Sequence, residues 1–242
     1  MNIIKLDATD STNEYLKQLT SNNLLPNFTV VTADFQTNGK GQMGSSWSSE
    51  AGKNLTMSVL VFDILSGSQD MFYLNMAVAL SVQEVLKNFN VPNVAIKWPN
   101  DIMSGKQKLG GILIENSIKQ DGTISSVIGI GLNVNQSNFE NLPNATSVFN
   151  VFGKVLDLDT LLEKIVTKIQ YYSQNLFYLK REIFDNYHQN LFRIGLPTAF
   201  EDQFENRFMA IIKNVSLDGK LNLQLEDDSL KSFGVKEIKM LL

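Results

Sequence analysis

The chain has 242 residues, enough for one sizeable core and a smaller second unit. Its hydrophobic content of 43% and charged content of 19% are ordinary for a globular protein, and a net charge of −4 argues against a surface built to hold nucleic-acid phosphates. It has no cysteine and one histidine, His188, which excludes disulfides, thiolate catalysis and Cys-based zinc and deprives Ser-His-Asp machinery of its usual parts. Chemistry is left to Lys, Asp, Asn, backbone amides and a substrate-borne metal.

Residues 3–7 read as a short strand, with no apolar run of signal-peptide or membrane-span length there or later. The default is a cytoplasmic protein. Ser11-Thr12-Asn13-Glu14 has the pattern of a capping box, with Ser11 as N-cap and Glu14 reaching back, and opens a helix to about residue 21. A strand at 28–33 follows. Gly39-Lys40-Gly41-Gln42-Met43-Gly44 then matches G-x-G-x-x-G, the dinucleotide fingerprint, and Asp63 lies about 20 positions on, where that motif has its acidic residue. The context is wrong. Residues 45–54 are polar and lack a helical period, and a strand-like run at 55–62 comes next, so no helix N-terminus is available for a pyrophosphate. No Gly-Lys-Ser/Thr closes a Walker loop either. The segment reads as a flexible flap carrying Lys40 and Trp47.

Residues 69–89 show a strong helical period, which is core packing. A strand at 94–98 stops at Pro99, which cannot donate to a ladder. Asn100 and Asp101 fall in a turn, with strand 108–116 beyond it. Residues 119–123 read as a hairpin turn, and strand 125–133 is apolar enough to be buried on both faces. Gly129 and Gly131 share one face of it and clear space above the sheet. Asp159 caps a helix carrying Leu161, Leu162, Ile165, Val166 and Ile169, and 173–192 adds another, with His188 in it as a solvated or capping side chain. Past Gly195-Leu196-Pro197, short strands at 208–215, 221–225, 230–235 and 238–242 alternate with turns at 217–220 and 226–228, the pattern of a small β-barrel.

Lys97 and Lys108 end one strand and begin the next, so hairpin geometry brings two like charges together. That costs stability unless an anion such as a polyphosphate separates them. Alone, Asn100-Asp101 is an ordinary turn, Lys108 a surface lysine and Trp47 a core residue. Together with a flap lysine, a glycine-cleared strand and a helix N-terminus at Ser11-Thr12 they suggest a site.

At this point the chain resembles a known family. Ser-Thr-Asn at 11–13, Gln36 followed by G-K-G-x-x-G-x-x-W at 39–47, Lys-Trp-Pro-Asn-Asp at 97–101, Lys-Leu-Gly-Gly-Ile at 108–112 and Gly-Ile-Gly-Leu-Asn at 129–133 are similar, in order and spacing, to biotin–protein ligase. The resemblance implies an α/β catalytic domain at 1–192, a mixed sheet with helices mainly on one face in the manner of class II aminoacyl-tRNA synthetases, and a C-terminal SH3-like β-barrel at 193–242. With no winged helix in front of the catalytic motifs, it implies the ligase-only type and no DNA partner. The implied reaction joins biotin and ATP into biotinyl-5′-AMP with release of pyrophosphate, with Mg²⁺ as cofactor. A lysine of a biotin carboxyl carrier protein then takes the biotin. Such a step needs positioning and charge neutralisation, and no nucleophile from the enzyme.

By the match, Lys108 reaches the biotin carboxylate and the α-phosphate, and Asp101 is a candidate to orient or deprotonate the incoming lysine. Ser11, Thr12 and Gln36 hold the ureido group, with Asn13, Lys40, Gly41 and Gln42 beside them, and Gly111, Gly129 and Gly131 let the rings lie on the sheet. Lys97, Asn100 and Asn133 fall on the nucleotide side, where Trp47 packs on the adenylate under the closed flap. Many members have an arginine-rich flap; this one has Lys40, Gln42, Met43 and Ser45, which predicts a looser hold on the intermediate. Lipoate–protein ligase is the enzyme alternative, a non-catalytic biotin or adenylate sensor the alternative from another class. Monomer and sheet-edge homodimer both stay open.

Overall fold

The structure is a computed structural model and describes residues 1–119, 122–140 and 142–242. Chain order begins with β1 (Ile3–Thr9), α1 (Thr12–Asn22), β2 (Val30–Gln36), the two-residue strands β3 (Gly39–Lys40) and β4 (Ser46–Trp47), and β5 (Leu55–Phe62). It continues with α2 (Asp70–Asn88), β6 (Val94–Lys97), β7 (Asp101–Ser104), β8 (Gln107–Ile118), β9 (Ile124–Leu132), α3 (Val148–Phe152), α4 (Leu158–Gln174) and α5 (Leu176–Gln189). The last strands are β10 (Pro197–Asp202), β11 (Arg207–Val215), β12 (Leu221–Leu225), β13 (Leu230–Phe233) and β14 (Ile238–Met240).

Seven strands form one mixed sheet in the order β1-β2-β5-β9-β8-β7-β6, parallel only between β1 and β2. Its two faces are set by the alternation of side chains along each strand. On β2 and β5, Val30, Met57, Val59 and Val61 face a large core shared with α2, α4 and α5, while Val31 and Leu60 point the other way, onto Leu16 of α1. Helices therefore lie mainly on one face, as expected, and α1 stands alone on the other. The α2 helix is apolar nearly all round because it is covered by the sheet on one side and by α4 and α5 on the other; Leu74, Met76, Leu80, Val82 and Leu86 are all buried. Each such side chain contributes about 1.5–3 kcal/mol. Among the described residues no helix is long and apolar enough to cross a membrane.

The remaining strands form an antiparallel sheet in the order β13-β12-β11-β10-β14. This is the small SH3-like unit, but its ladder is open: among the described residues only an isolated bridge between Val235 and Ile238 links the connection after β13 to β14. The first strand, β10, was not expected, because it opens on Pro197; proline is tolerated at the first position of a strand.

Several expectations are corrected. Ser11 is at the N-cap of α1 but its side chain makes no cap hydrogen bond. Instead Gln36 Oε1 accepts from the Thr12 backbone N–H at 2.8 Å, and Glu14 is drawn to Lys40 and Lys17, so the capping box does not form. The second strand lies at 30–36 rather than 28–33, since Phe28 sits in the left-handed region at φ 61°. Asp157, not Asp159, caps α4 through Thr160 N, while Asp159 pairs with Lys5. The expected turn at 119–123 includes Gln120 and Asp121, which lie outside the described residues.

Candidate active site

A cavity of about 270 Å³ opens above the middle of the large sheet, between the start of α1, strands β8 and β9, and the segment 39–47. Its walls bring together Ser11, Thr12, Asn13, Gln36, Lys40, Gly41, Gln42, Trp47, Asn100, Asp101, Lys108, Gly111, Gly129 and Gly131. Two of the residues singled out in the sequence, Lys97 and Asn133, do not line it.

One wall is a continuous hydrogen-bonded chain. Gln36 Oε1 accepts from both Thr12 N and Thr12 Oγ1, at 2.8 and 3.1 Å. Ser58 Oγ lies 2.7 Å from Thr12 Oγ1 and 2.5 Å from Asn13 Oδ1, and Asn13 Nδ2 donates to Glu115 Oε2 at 2.7 Å. Glu115 then meets Lys17 at 2.5 Å, Lys17 meets Glu14 at 3.0 Å and Glu14 meets Lys40 of the flap at 2.8 Å. Thr12, Asn13 and Ser58 are buried, and satisfied buried polar groups of this kind fix side-chain orientation firmly; Ser11 is buried beside them. Lys40, and after it Lys17, hold the Glu14 carboxyl below its ordinary range. Burial pushes the Lys17 ammonium down, but Glu115 and Glu14 outweigh that and raise it. The α1 helix begins in this wall, so its positive end borders the cavity and favours an anionic or carbonyl-bearing ligand.

The opposite wall carries the charge. Asn100 lies in the turn, as expected, but Asp101 starts β7, a strand absent from the sequence reading, and its register sets it opposite both Lys97 on β6 and Gly111 on β8. Asp101 Oδ1 lies 2.5 Å from Lys108 Nζ and Oδ2 lies 3.7 Å from Lys97 Nζ. The anion that separates the two lysines is therefore in the protein itself. The Lys108 ammonium lies over Gly111, at ordinary contact distance (3.5 Å) from where a Cβ would stand. Lys108 is pinned by its backbone, Lys108 N donating to Asn144 O at 2.8 Å and Lys108 O accepting from Thr146 N at 2.9 Å. Asn133 braces the same loop, giving Nδ2 to Thr146 O at 3.1 Å. Its amide thus braces the loop that holds the Lys108 backbone. Asn100 is fixed by Nδ2 to Ile112 O at 2.7 Å.

The flap is folded, where an irregular loop was expected. β3 and β4 pair as a miniature hairpin, Gly39 opposite Trp47 and Lys40 opposite Ser46. A Cβ on Gly41 would meet Ser45 Oγ at 2.3 Å, so a larger residue there would require the Ser45 hydroxyl to rotate off Gln42 O. The space cleared by Gly129 and Gly131 is filled by the protein: a Cβ at Gly129 would meet Asn13 Oδ1 at 2.5 Å, and one at Gly131 would meet the Trp47 indole at 2.5 Å. Trp47 Nε1 is buried with no hydrogen-bond partner among the described residues, a donor that a ligand acceptor could satisfy. Lys97 lines a separate cleft of about 400 Å³ between the two sheets, with Trp98, Pro99, Phe200, Lys236 and Lys239. The sequence reading missed Ser58, Glu115 and Lys236. Their relation to the site is made by pairing across strands far apart in the chain and carries no local signal.

A model of the biotin/lipoate A/B protein ligase family matches residues 6–135. The bifunctional ligase/repressor BirA of Bacillus spizizenii is 32% identical over 169 residues, covering 68% of this chain and 51% of that protein. The biotin–[acetyl-CoA-carboxylase] ligase of Mycobacterium tuberculosis is 31% identical over 144 residues, covering 58% of this chain and 52% of that protein. The chain thus spans about half the length of these curated relatives. Among solved structures, the biotin protein ligase of Aquifex aeolicus in complex with biotin and ATP superimposes with a TM-score of 0.80 at 25% identity, covering 99% of this chain and 98% of that one.

Proposed function

Because the chain belongs to the biotin/lipoate A/B protein ligase family, we propose that it is an ATP-dependent biotin–protein ligase. The observation that carries the reading is one cavity with two chemically distinct walls: neutral hydrogen-bonding groups around Thr12 and Gln36, and the Lys108–Asp101 pair facing them. A ureido ring needs donors and acceptors on a rigid frame, and a carboxylate becoming an acyl phosphate needs a fixed cation.

In this reading the biotin carboxylate attacks the α-phosphorus of ATP, forming biotinyl-5′-AMP as pyrophosphate leaves. The amine of a carrier-protein lysine then attacks the acyl carbon and AMP departs. Lys108 neutralises charge on the carboxylate and α-phosphate. Asp101 holds Lys108 before the ligand enters and orients the incoming amine afterwards. Ser11, Thr12, Asn13 and Gln36 hold the ureido group, with Lys40, Gly41 and Gln42 over it. The rings lie along Gly111, Gly129 and Gly131. Trp47 and Asn100 serve the adenylate, with Lys97 on the phosphate side and Asn133 supporting Lys108 from behind. Mg²⁺ enters with the nucleotide, held largely by its phosphates and water. The partner is a biotin carboxyl carrier protein of a biotin-dependent carboxylase, met in the cytoplasm, and the net charge of −4 gives no support to a DNA partner. We divide the chain between 192 and 193; Phe192 N still bonds to Ile96 O of the large sheet, and the elements of the small sheet begin at Pro197.

The test is to supply Mg-ATP with biotin or with lipoate and follow pyrophosphate and acyl-adenylate by mass spectrometry, with Lys108→Ala in parallel. The expected result is biotinyl-AMP from the wild type and roughly 10²–10³-fold less from Lys108→Ala. Lipoyl-AMP, or ligand binding without pyrophosphate, would overturn the reading.

A further inference from the structure

The small sheet reaches the flap at one point. Lys236, in the connection between β13 and β14, donates from Nζ to the backbone carbonyl of Met43 at 2.9 Å, across 193 residues of chain. Met43 sits at the tip of the flap, in the turn between its two short strands, and both Val235 and Lys236 line the main cavity. The two partners share an unusual backbone. Met43 has φ 55° and Lys236 has φ 72°, left-handed conformations that residues with a side chain adopt only when their surroundings impose them. The Lys236 end is held by hydrogen bonds of its own. Gly234 N donates to Glu237 Oε2 at 2.6 Å, Glu237 N to Gly234 O at 3.2 Å, and Gln203 N of the neighbouring turn to Glu237 O at 3.1 Å. The flap end is braced by Gly41 N to Ser45 O at 2.7 Å.

We propose that Lys236 is a positioning residue, a clasp by which the small sheet holds the flap over the cavity. The flap is gripped from two sides, by Glu14 of α1 through Lys40 and by Lys236 through Met43 O. The second grip comes from a different sheet, so opening the flap requires either loss of this bond or movement of that sheet. A flap short of arginine is thereby restrained from outside, and the small sheet governs how long an activated intermediate stays enclosed. That last consequence rests on the ligase reading; the clasp itself does not.

The experiment is hydrogen–deuterium exchange of the ligand-free full chain over 39–47, in wild type, Lys236→Ala, Lys236→Arg and Lys236→Gly, with thermal unfolding to establish that each variant is folded. Lys236→Ala is expected to exchange about five- to tenfold faster there, the effect of losing one solvent-exposed hydrogen bond. Exchange elsewhere in the large sheet should not change. Lys236→Arg keeps a donor and should stay near wild type. Lys236→Gly relieves the left-handed backbone yet lacks the ammonium, and should behave as Lys236→Ala. Unchanged exchange in both Lys236→Ala and Lys236→Gly would overturn the clasp, and so would wild-type exchange in Lys236→Gly alone, since strain rather than the bond would then be the cause. Release of preformed biotinyl-AMP is measured next and should accelerate by a similar factor in Lys236→Ala. Faster exchange with unaltered release would overturn the role in retention. A wild type that forms no adenylate would defeat the ligase reading while leaving the exchange result to decide the clasp.

Discussion

Asp101 lies between Lys97 and Lys108, and its carboxylate has one oxygen for each. Replacing it by asparagine removes the charge but not the shape, leaving the two partly buried ammonium groups without the counter-ion they share. An anionic ligand would then fill that role, so Asp101→Asn should still form the acyl-adenylate while transfer to the carrier slows by about 10²-fold, the range for a lost acid–base or orienting group. Equal losses in both half-reactions would remove Asp101 from the second step. Gly129 makes a sharper case. A Cβ there meets Asn13 Oδ1 at 2.5 Å, and Asn13 cannot swing aside without breaking its bonds to Ser58 and Glu115. Gly129→Ala should cost about 1–3 kcal/mol, the range for overpacking a filled site, and weaken biotin binding; an unchanged urea midpoint would show that Asn13 moves freely. These glycines were legible as a pair on one face of a strand. What filled the cleared space was not, because Asn13 and Trp47 arrive from segments whose position over that strand is fixed only by the folded chain.

The elements that the sequence made plain were the long, periodic ones. α2 and β5 fall within a residue of expectation because an apolar pattern sustained over several turns or strand residues has one reading. β7 has four residues between Pro99 and Gly105, too few to distinguish alternation from a turn, and its omission hid the way Asp101 is set between the lysines. The five-residue α3 was missed for the same reason of length. The flap is a third case: glycine, serine and a lack of period suggested a flexible loop, whereas a short hairpin forms, held by tertiary bonds to Glu14 and Lys236. The Glu14 hold depends on pH in a stated direction. Lys40 and Lys17 depress the carboxyl below its ordinary value of about 4.5, so the stabilisation is fully present above that value and is lost as pH falls through the lower folded-state pKa. Exchange over 39–47, corrected for the intrinsic pH dependence of amide exchange, should therefore rise below about pH 4.5 in wild type. It should already be raised and pH-independent over this window in Glu14→Gln. An equal pH response in both proteins would place the titrating group elsewhere.

At the scale of the whole molecule, the two sheets are joined by side chains whose partners no sequence pattern announces. Trp98 Nε1 donates to Gly219 O at 2.9 Å, and Phe72 of α2 packs against the same glycine, so a turn that reads as an ordinary hairpin tip is docked on the large unit. His188 is the clearest instance. As the single histidine it reads as a solvated or capping side chain, yet its ring lies 4.1 Å from that of Phe184 and spans from α5 to β11. Val215 N lies 2.8 Å and Val215 O 3.1 Å from Nε2, and Nδ1 lies 2.7 Å from Phe184 O, so the ring ties the backbone of β11 to that of α5. Val215 is buried, and the imidazole is an acceptor for its N–H. His188→Ala should therefore lower unfolding stability by about 1–3 kcal/mol, the cost of orphaning a buried donor. If the two sheets unfold as one body, the urea midpoint falls with no change in slope; if His188 is a main tie between them, a second, earlier transition appears as the small sheet melts first. A midpoint and slope equal to wild type would mean that water replaces the imidazole at no cost, and that Trp98 and Phe72 carry the junction alone.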